Sequence, residues 1–128
     1  MFVGRISEEK GLRTLIKAWQ TINYPLRIVG DGPLINETKD LAPNNIQFVG
    51  KLVAHEVRLE MQKATFLIMP SVWYETFGLT IVEAFSCSLP VIASNLGAMA
   101  EIVEDGITGL HFNPSDAIDL VKKIQWAN

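Results

Sequence analysis

Several features that identify secreted, membrane-spanning or nucleic-acid-binding proteins are scarce in this sequence. Cys87 is the single cysteine, so no disulfide can form within the chain, which is consistent with a reducing compartment. The apolar runs are strand-sized and too short to cross a bilayer. The net charge is −3 and there is no basic tract, so nucleic-acid binding has little support. We therefore expect a cytoplasmic protein with no transmembrane segment and no nucleic-acid partner.

Signals for a metal site or a secretory leader are also missing. The two histidines, His55 and His111, have no neighbouring cluster of acidic or histidine side chains that would complete a metal site. The opening residues, Met1 to Gly4, lack the charged and apolar regions of a signal peptide. We therefore predict no metal ligand and no resident cofactor.

The sequence does contain a regular alternation of short apolar runs and amphipathic segments. Runs such as LRIV, FLIMP and PVIA are continuous, which is typical of strands in a parallel sheet covered on both faces. Right-handed β-α-β crossovers wind such units into an open sheet. With 128 residues, the chain fits one domain. The prediction is an α/β fold, an open parallel Rossmann-like sheet with helices on both faces, over residues 1–128.

The boundaries of the elements follow from these patterns and from turn and capping residues. The predicted strands are residues 2–3, 26–29, 46–49, 66–69, 91–93 and 110–112. The predicted helices are one from the N-cap Ser7 through Ile22, a short one ending near Leu41, then residues 57–64, 79–87 and 97–103, and a last one starting at Asp116.

Polar and glycine residues follow several of these strands directly. Arg5, Gly30, Gly50 and the segment 73–78 each come after a strand. In open parallel sheets, ligands bind outside the carboxyl ends of the strands. These residues therefore predict a single site on one edge of the sheet.

The segment ETFGLTIVEA contains two carboxylates, Glu75 and Glu83, separated by seven residues. The predicted helix begins between them, near Gly78, and the free amides of a helix N-terminus bind anions. Carboxylates beside such a site would repel a bare phosphate, but they can accept hydrogen bonds from hydroxyl groups. A phosphate joined to sugars, as in a nucleotide-sugar, satisfies both conditions.

Periodicity alone gives Glu83 a plainer role. At 100° per residue, Ile81, Val82, Ala84 and Phe85 lie on the arc that faces the core, and Glu83 lies on the opposite arc. An ordinary solvated acid is the interpretation that this pattern favours.

The order of motifs resembles the donor-binding half of retaining GT-B glycosyltransferases of the glycogen-synthase-like and mannosyltransferase-like type, glycosyltransferase family 4, which have a Glu-x7-Glu motif. The resemblance covers nearly the whole chain. It rests on FVGRISEEKGLRTLIKA, LRIVGDGP, IQFVGKL, PSVWYETFGL and PVIASNLGAMAEIVEDGITGLHFNPSD.

The resemblance implies a role for each matched residue. Arg5 and Lys10 would hold the diphosphate and neutralise charge on the leaving nucleotide, and Lys51 would lie over the base. Glu75 would accept from hydroxyls of the transferred sugar and Glu83 from the ribose. The catalytic set is then Glu75, Arg5 and Lys10, with Glu75 positioning the sugar rather than attacking it. The donor-binding set is Gly4, Arg5, Lys10, Gly30, Lys51, Leu52, Glu75, Thr76, Phe77, Gly78, Leu79 and Glu83.

The resemblance also implies partners. The donor is a nucleotide-diphosphate-sugar, bound without a metal, and its base and sugar stay open. An acceptor-binding domain precedes this half in the family, so we expect residues 1–128 to be the donor domain alone, shortened at the C-terminal end. The isolated chain should then be inactive, and the parent enzyme could associate peripherally with a membrane.

Three alternatives remain at this stage. The two glutamates could be the acid and nucleophile of a glycosidase, whose carboxyl groups stand roughly 5–10 Å apart. The chain could belong to a nucleotide-sugar 2-epimerase, or it could be a non-catalytic nucleotide-binding or interaction module.

Two local expectations can be checked directly. Trp73 and Tyr74 could form an aromatic wall for a sugar or an acceptor, although packing in the core is the role expected for at least one of them. Ser88 stands where the family commonly has glycine, so a left-handed backbone at that position would be strained.

Overall fold

The computed structural model describes residues 1–74 and 78–128, which form six strands and six α-helices. The strands are β1 (Phe2–Val3), β2 (Leu26–Val29), β3 (Ile46–Gly50), β4 (Leu67–Met69), β5 (Val91–Ser94) and β6 (Gly109–Phe112). The helices are α1 (Leu12–Trp19), α2 (Ile35–Leu41), α3 (Ala54–Lys63), α4 (Leu79–Ser86), α5 (Gly97–Ile102) and α6 (Ala117–Ala127), with a 3-10 turn at Glu8–Lys10 before α1. No helix among the described residues is long and apolar enough to cross a membrane.

All strand pairs are parallel, as predicted. The ladders give the orders β1-β2-β3 and β4-β5-β6. The two halves meet where the Met1 amino group donates to the Phe66 carbonyl at 2.8 Å and the Ile68 amide donates to the Met1 carbonyl at 2.9 Å. This is the bonding pattern of parallel neighbours, so the strands follow the order β3-β2-β1-β4-β5-β6, the doubly wound arrangement of nucleotide-binding folds.

Two apolar clusters cover the two faces of this sheet. Successive residues of a strand point to opposite faces. Accordingly, Ile28 and Ile68 belong to one cluster, whereas their neighbours Val29 and Leu67 belong to the other. The first cluster includes buried residues of α1 and α6, and the second includes buried residues of α3, α4 and α5. The predicted Rossmann-like sheet with helices on both faces is confirmed.

The predicted first helix is interrupted at Gly11. This residue ends the 3-10 turn in a left-handed conformation with φ of +77°, and α1 begins only at Leu12. A β-carbon at position 11 would lie 1.8 Å from the Pro70 carbonyl oxygen, so the loop after β4 packs directly on this backbone. Ser7 is the N-cap residue of the 3-10 turn, as predicted, but its hydroxyl donates to the Glu9 carboxylate and makes no capping bond to the backbone.

Helix α4 buries a narrower stripe than predicted. Ile81 and Ala84 are fully buried and Phe85 is half-buried, but Val82 is 55% exposed. Val82 lies about 100° around the helix from Ile81, at the edge of the arc that contacts the sheet. The prediction that Val82 faces the core is therefore wrong, whereas Glu83 is exposed as expected.

The turn after α4 confirms the strain expected at Ser88. This serine has φ of +56°. Its amide donates to the Phe85 carbonyl at 3.0 Å, and the Leu89 amide donates to the Ala84 carbonyl at 2.9 Å. These two bonds form a Schellman motif, whose left-handed position usually holds glycine.

Candidate functional site

The loops that follow β1 and β4 come together at the carboxyl edge of the sheet. The Val72 amide donates to the Glu9 carbonyl at 3.0 Å, and Gly11 packs on the Pro70 carbonyl. This is the topological switch point of a doubly wound sheet, since β1 has β2 on one side and β4 on the other. Ligands bind in the crevice at such a point.

The carboxyl ends of β1, β2 and β3 are held together by backbone contacts between glycines. The Gly4 amide donates to the Val29 carbonyl at 3.0 Å, and the Gly30 amide donates to the Gly50 carbonyl at 2.8 Å. Gly30 has φ of +141°, and a β-carbon there would lie 1.9 Å from the Gly4 carbonyl oxygen. Only glycine fits at position 30, and the absence of side chains leaves the backbone accessible to a ligand.

A cleft of about 460 Å³ opens beside these glycines. Five of the predicted donor-binding residues line it, namely Gly4, Arg5, Gly30, Lys51 and Leu52. The cations of Arg5 and Lys51 are exposed, and the apolar part of the wall comes from Val3, Val29, Leu52 and Val57. The cleft therefore combines positive charge with an apolar surface, which suits a phosphate group joined to a planar base.

Lys10 is not one of the described residues that line this cleft, but its charge and that of Arg5 act on the same neighbour, Glu9. Donation from the Ser7 hydroxyl is the main reason that the pKa of Glu9 is lowered, and the charges of Lys10 and Arg5 lower it further. The Glu9 carboxylate thus lies within the field of both cations. The loop after β1 therefore places two cations, Arg5 and Lys10, beside the carboxylate of Glu9.

The acidic motif is only partly described. Glu75, Thr76 and Phe77 lie outside the described residues, so their predicted roles have no structural counterpart here. Gly78 is buried, Leu79 is exposed as the first residue of α4, and Glu83 is exposed one turn further along the same helix.

Two features of this edge differ from the sequence-based prediction. Asp31 lines the cleft but is not among the predicted site residues, although its place directly after Gly30, at the end of a strand, was a signal for it. Trp73 and Tyr74 are 67% and 77% exposed, so the expectation that at least one packs in the core is wrong. Both follow β4 on the segment that Val72 anchors to Glu9, which leaves their rings at the surface.

The described residues contain no group of three His, Cys, Asp or Glu side chains that could hold a metal ion. His111 Nε2 lies within hydrogen-bond distance of the Val103 carbonyl oxygen, at 2.6 Å, and His55 is exposed on α3. Neither imidazole therefore has the surroundings of a metal ligand.

A cavity of similar size, about 440 Å³, lies at the opposite, amino edge of the sheet. Its wall includes Met1, Arg27, Glu60 and Phe66. Among the described residues, none of the predicted site residues lines this cavity, so the physical argument for a ligand site favours the carboxyl edge.

Among known proteins, this chain is similar to several that are named as glycosyltransferases. An uncharacterized glycosyltransferase from Methanocaldococcus jannaschii is 37% identical over 128 residues, which cover 97% of this chain and 36% of the relative. The sulfoquinovosyl transferase SQD2 of Arabidopsis thaliana is 34% identical over 128 residues, which cover 96% of this chain and 25% of that protein. The chain thus spans about a third or less of the length of these curated relatives.

Solved structures show the same fold. The Anabaena protein HepE in complex with UDP-glucose superposes with a TM-score of 0.86 at 27% identity, over 98% of this chain and 38% of that one. The catalytic domain of cholesterol-α-glucosyltransferase from Helicobacter pylori gives a TM-score of 0.83 at 29% identity, over 98% of this chain and 84% of that one.

The family model described as glycosyl transferases group 1 matches residues 1–127, nearly the whole chain. Together with the strand order and the structural relatives, this match shows that the chain belongs to the glycosyl transferases group 1 family and has the fold of a GT-B glycosyltransferase domain.

Proposed function

We propose that this chain is the donor-binding domain of a retaining glycosyltransferase, which transfers a sugar from a nucleotide-diphosphate-sugar to an acceptor hydroxyl. The observation that supports this most directly is the cleft at the carboxyl edge, where Arg5 and Lys51 flank a glycine-lined backbone and an apolar wall. A diphosphate needs cations and accessible amides, and a base needs an apolar surface.

Each predicted residue then has a role in the reaction. Arg5 presents a planar fork of donors and Lys10 a point charge, so together they stabilise the charge that develops on the departing diphosphate. Lys51 and Leu52 cover the base, with Gly4 and Gly30 allowing close approach of the ligand. The amides of Gly78 and Leu79, at the start of α4, bind phosphate oxygens.

The two glutamates orient the donor from opposite ends. Glu83 accepts from the ribose hydroxyls, and Glu75 accepts from hydroxyls of the transferred sugar. The acceptor attacks from the same face that the diphosphate leaves, and the leaving diphosphate takes the acceptor's proton. Glu75 is thus a positioning residue, and the reaction requires no metal.

Uridine diphosphate is the nucleotide that we propose to test first. HepE, which is 27% identical to this chain, has been crystallised with UDP and with UDP-glucose. The acceptor would be bound by a further domain of a longer protein, so the chain of residues 1–128 should bind the donor weakly and transfer no sugar by itself.

The test is a calorimetric titration of the chain with UDP-glucose, UDP and uridine. We expect UDP and UDP-glucose to bind and uridine to bind more weakly, because uridine lacks the phosphates that the cations hold. The double variant Arg5→Ala with Lys51→Ala should lose most of the UDP affinity, while Lys17→Ala, which removes an exposed cation of α1 outside the cleft, should not. Equal binding of UDP and uridine, or no binding of any nucleotide, would contradict the proposal.

A further inference from the structure

Asp31 places a carboxylate in a cleft whose other charged side chains, among the described residues, are the cations Arg5 and Lys51. Its position is fixed by two contacts. The Gly32 amide donates to Asp31 Oδ1 at 2.8 Å, and the Ile6 amide donates to the Asp31 carbonyl at 3.0 Å. Asp31 is exposed and lines the cleft, so the charge of its carboxylate acts on a ligand that enters the cleft.

A fixed carboxylate repels a ligand more strongly as the negative charge of the ligand increases. A nucleotide-sugar has about two negative charges at neutral pH, and a nucleoside triphosphate has about four, because a terminal phosphate loses a second proton near pH 6. A free nucleoside diphosphate lies between them. Asp31 therefore penalises the free nucleotides more than the sugar-linked one.

We propose that Asp31 is a selectivity residue, which lowers the affinity of the cleft for free nucleoside di- and triphosphates relative to the nucleotide-sugar. This inference rests on the proposed donor-binding function. Arg5 and Lys51 attract all three ligands, and the carboxylate reduces this attraction most for the ligand with the largest charge. The cleft is thereby biased toward the substrate and against compounds that have the same base and more phosphate charge.

The variant Asp31→Asn tests this, because asparagine keeps an Oδ1 acceptor for the Gly32 amide and removes the charge. UDP-glucose, UDP and UTP are titrated without divalent cations at low ionic strength. We expect the affinity for UTP to rise about four-fold more than that for UDP-glucose, with UDP between them, and the difference to shrink in about 0.5 M salt. Asp40→Asn, which removes an exposed carboxylate of α2 outside the cleft, should leave the ratio of the three affinities unchanged.

The outcomes separate this inference from the proposed function. If the unmodified chain binds UDP-glucose and Asp31→Asn changes all three affinities by the same factor, the inference fails and the function stands. A specific loss of UDP-glucose binding would also overturn it, because Asp31 would then be accepting a hydrogen bond from the donor. If the unmodified chain binds no nucleotide, both fail. Asp31→Ser, which also retains an acceptor oxygen, provides a second variant if the first does not fold.

Discussion

Ser88 has a backbone conformation that suits glycine better than serine. Its φ of +56° places it in the left-handed region, at the position of the Schellman motif after α4 where glycine is most common. A side chain in this region costs roughly 1–2 kcal/mol. The cost is local, since Ser88 is exposed and its backbone bonds do not depend on the side chain.

We therefore expect Ser88→Gly to raise the free energy of unfolding by about 0.5–1 kcal/mol, after allowance for the greater entropy of glycine in the unfolded chain. Urea denaturation measures this difference. Ser86→Gly is the matched control, because Ser86 is the last residue of α4 and glycine there should lower stability. If Ser88→Gly is less stable than the parent, the serine side chain makes a stabilising interaction that offsets the cost of the left-handed backbone.

Lys10 belongs to the loop after β1, beside the crevice. If it holds the diphosphate, Lys10→Ala should weaken UDP binding by about 1.5–3 kcal/mol, the value for a hydrogen bond to a charged group. Uridine binding should hardly change, since uridine has no phosphate. Calorimetric titration of both ligands checks this, with Lys17→Ala on α1 as the control for loss of an exposed lysine. Equal losses for UDP and uridine would refute the assignment.

At the scale of elements, an ion pair joins β2 to α3. Arg27 donates to Glu60 through Nε at 2.7 Å and through Nη2 at 2.9 Å, a bidentate pair. The hydrogen bond from Arg27 holds the pKa of Glu60 below its usual value. The Glu60 side chain is 14% exposed and that of Arg27 40%, so solvent screens the pair in part.

We expect Glu60→Gln to lower the free energy of unfolding by about 1 kcal/mol at neutral pH. Because the pKa of Glu60 is lowered in the fold, the stability that the pair contributes is present above the unfolded pKa and is lost as the pH falls through the folded one. The difference between variant and parent in urea denaturation should thus shrink as the pH falls below the ordinary pKa of a glutamate. Glu104→Gln, at an exposed position, is the control. A difference that persists in acid would indicate a steric cause.

Helix α4 presents Glu83 on its exposed face, where an ordinary solvated acid and a ribose ligand look alike. Glu83→Gln keeps the shape of the side chain and replaces one acceptor oxygen with a donor. If Glu83 binds the ribose, this change should weaken UDP and UDP-glucose to a similar extent, by about 1.5–3 kcal/mol. Glu75→Gln should weaken UDP-glucose alone.

Titration of both ligands against both variants distinguishes these roles. Glu101→Gln on α5 serves as the exposed-acid control. A silent Glu83→Gln would identify a solvated helix acid, and equal loss of both ligands in Glu75→Gln would remove its assignment to the sugar.

The strands and helices were predictable because their sequence patterns involve neighbouring residues. The wrong predictions arise where residues distant in sequence are in contact. Apolar runs and turn residues predicted all six strands within a residue or two. The break at Gly11 depends on the Pro70 carbonyl, which no local pattern reveals. Arg5, Gly30 and Gly50 were predicted to converge because parallel strands end on one edge.

Local sequence patterns predicted the residues of the candidate site less well than they predicted the strands. The place of Asp31 on the cleft wall was not predicted, because it depends on where β3 and α3 lie. Core packing was predicted for at least one of Trp73 and Tyr74, whereas both occupy a loop that leaves aromatic rings exposed. The binding roles of the individual residues remain predictions, since they concern atoms of a ligand.

At the scale of the whole molecule, the two halves of the sheet meet at Met1. In a polypeptide that starts at this residue, burial lowers the pKa of the amino group from 8.0 to about 5. The unfolded chain then binds more protons than the folded one between these values, so the free energy of unfolding should rise from pH 5 to pH 8, by at most about 4 kcal/mol.

Urea denaturation across this range measures the effect. Acetylation of the amino group removes the titration and leaves an N–H that can still donate to the Phe66 carbonyl. The adjoining cavity of about 440 Å³ has room for the added group. The acetylated chain should therefore show a flatter dependence on pH, and an identical dependence in both forms would contradict the assignment.

The meeting of β1 and β4 also has a consequence for the order of folding. The two bonded residues Met1 and Phe66 are 65 positions apart, whereas each half of the sheet is built from strands that follow one another along the chain. Closing the loop between Met1 and Phe66 costs more entropy than closing the shorter loops within each half. This cost is offset only when side chains can pack on both faces of the joined sheet. The halves should therefore gain structure before they join, so that the glycine contacts of Gly4, Gly30 and Gly50 form early. The contact between Val72 and Glu9, which completes the crevice, is then among the last to form.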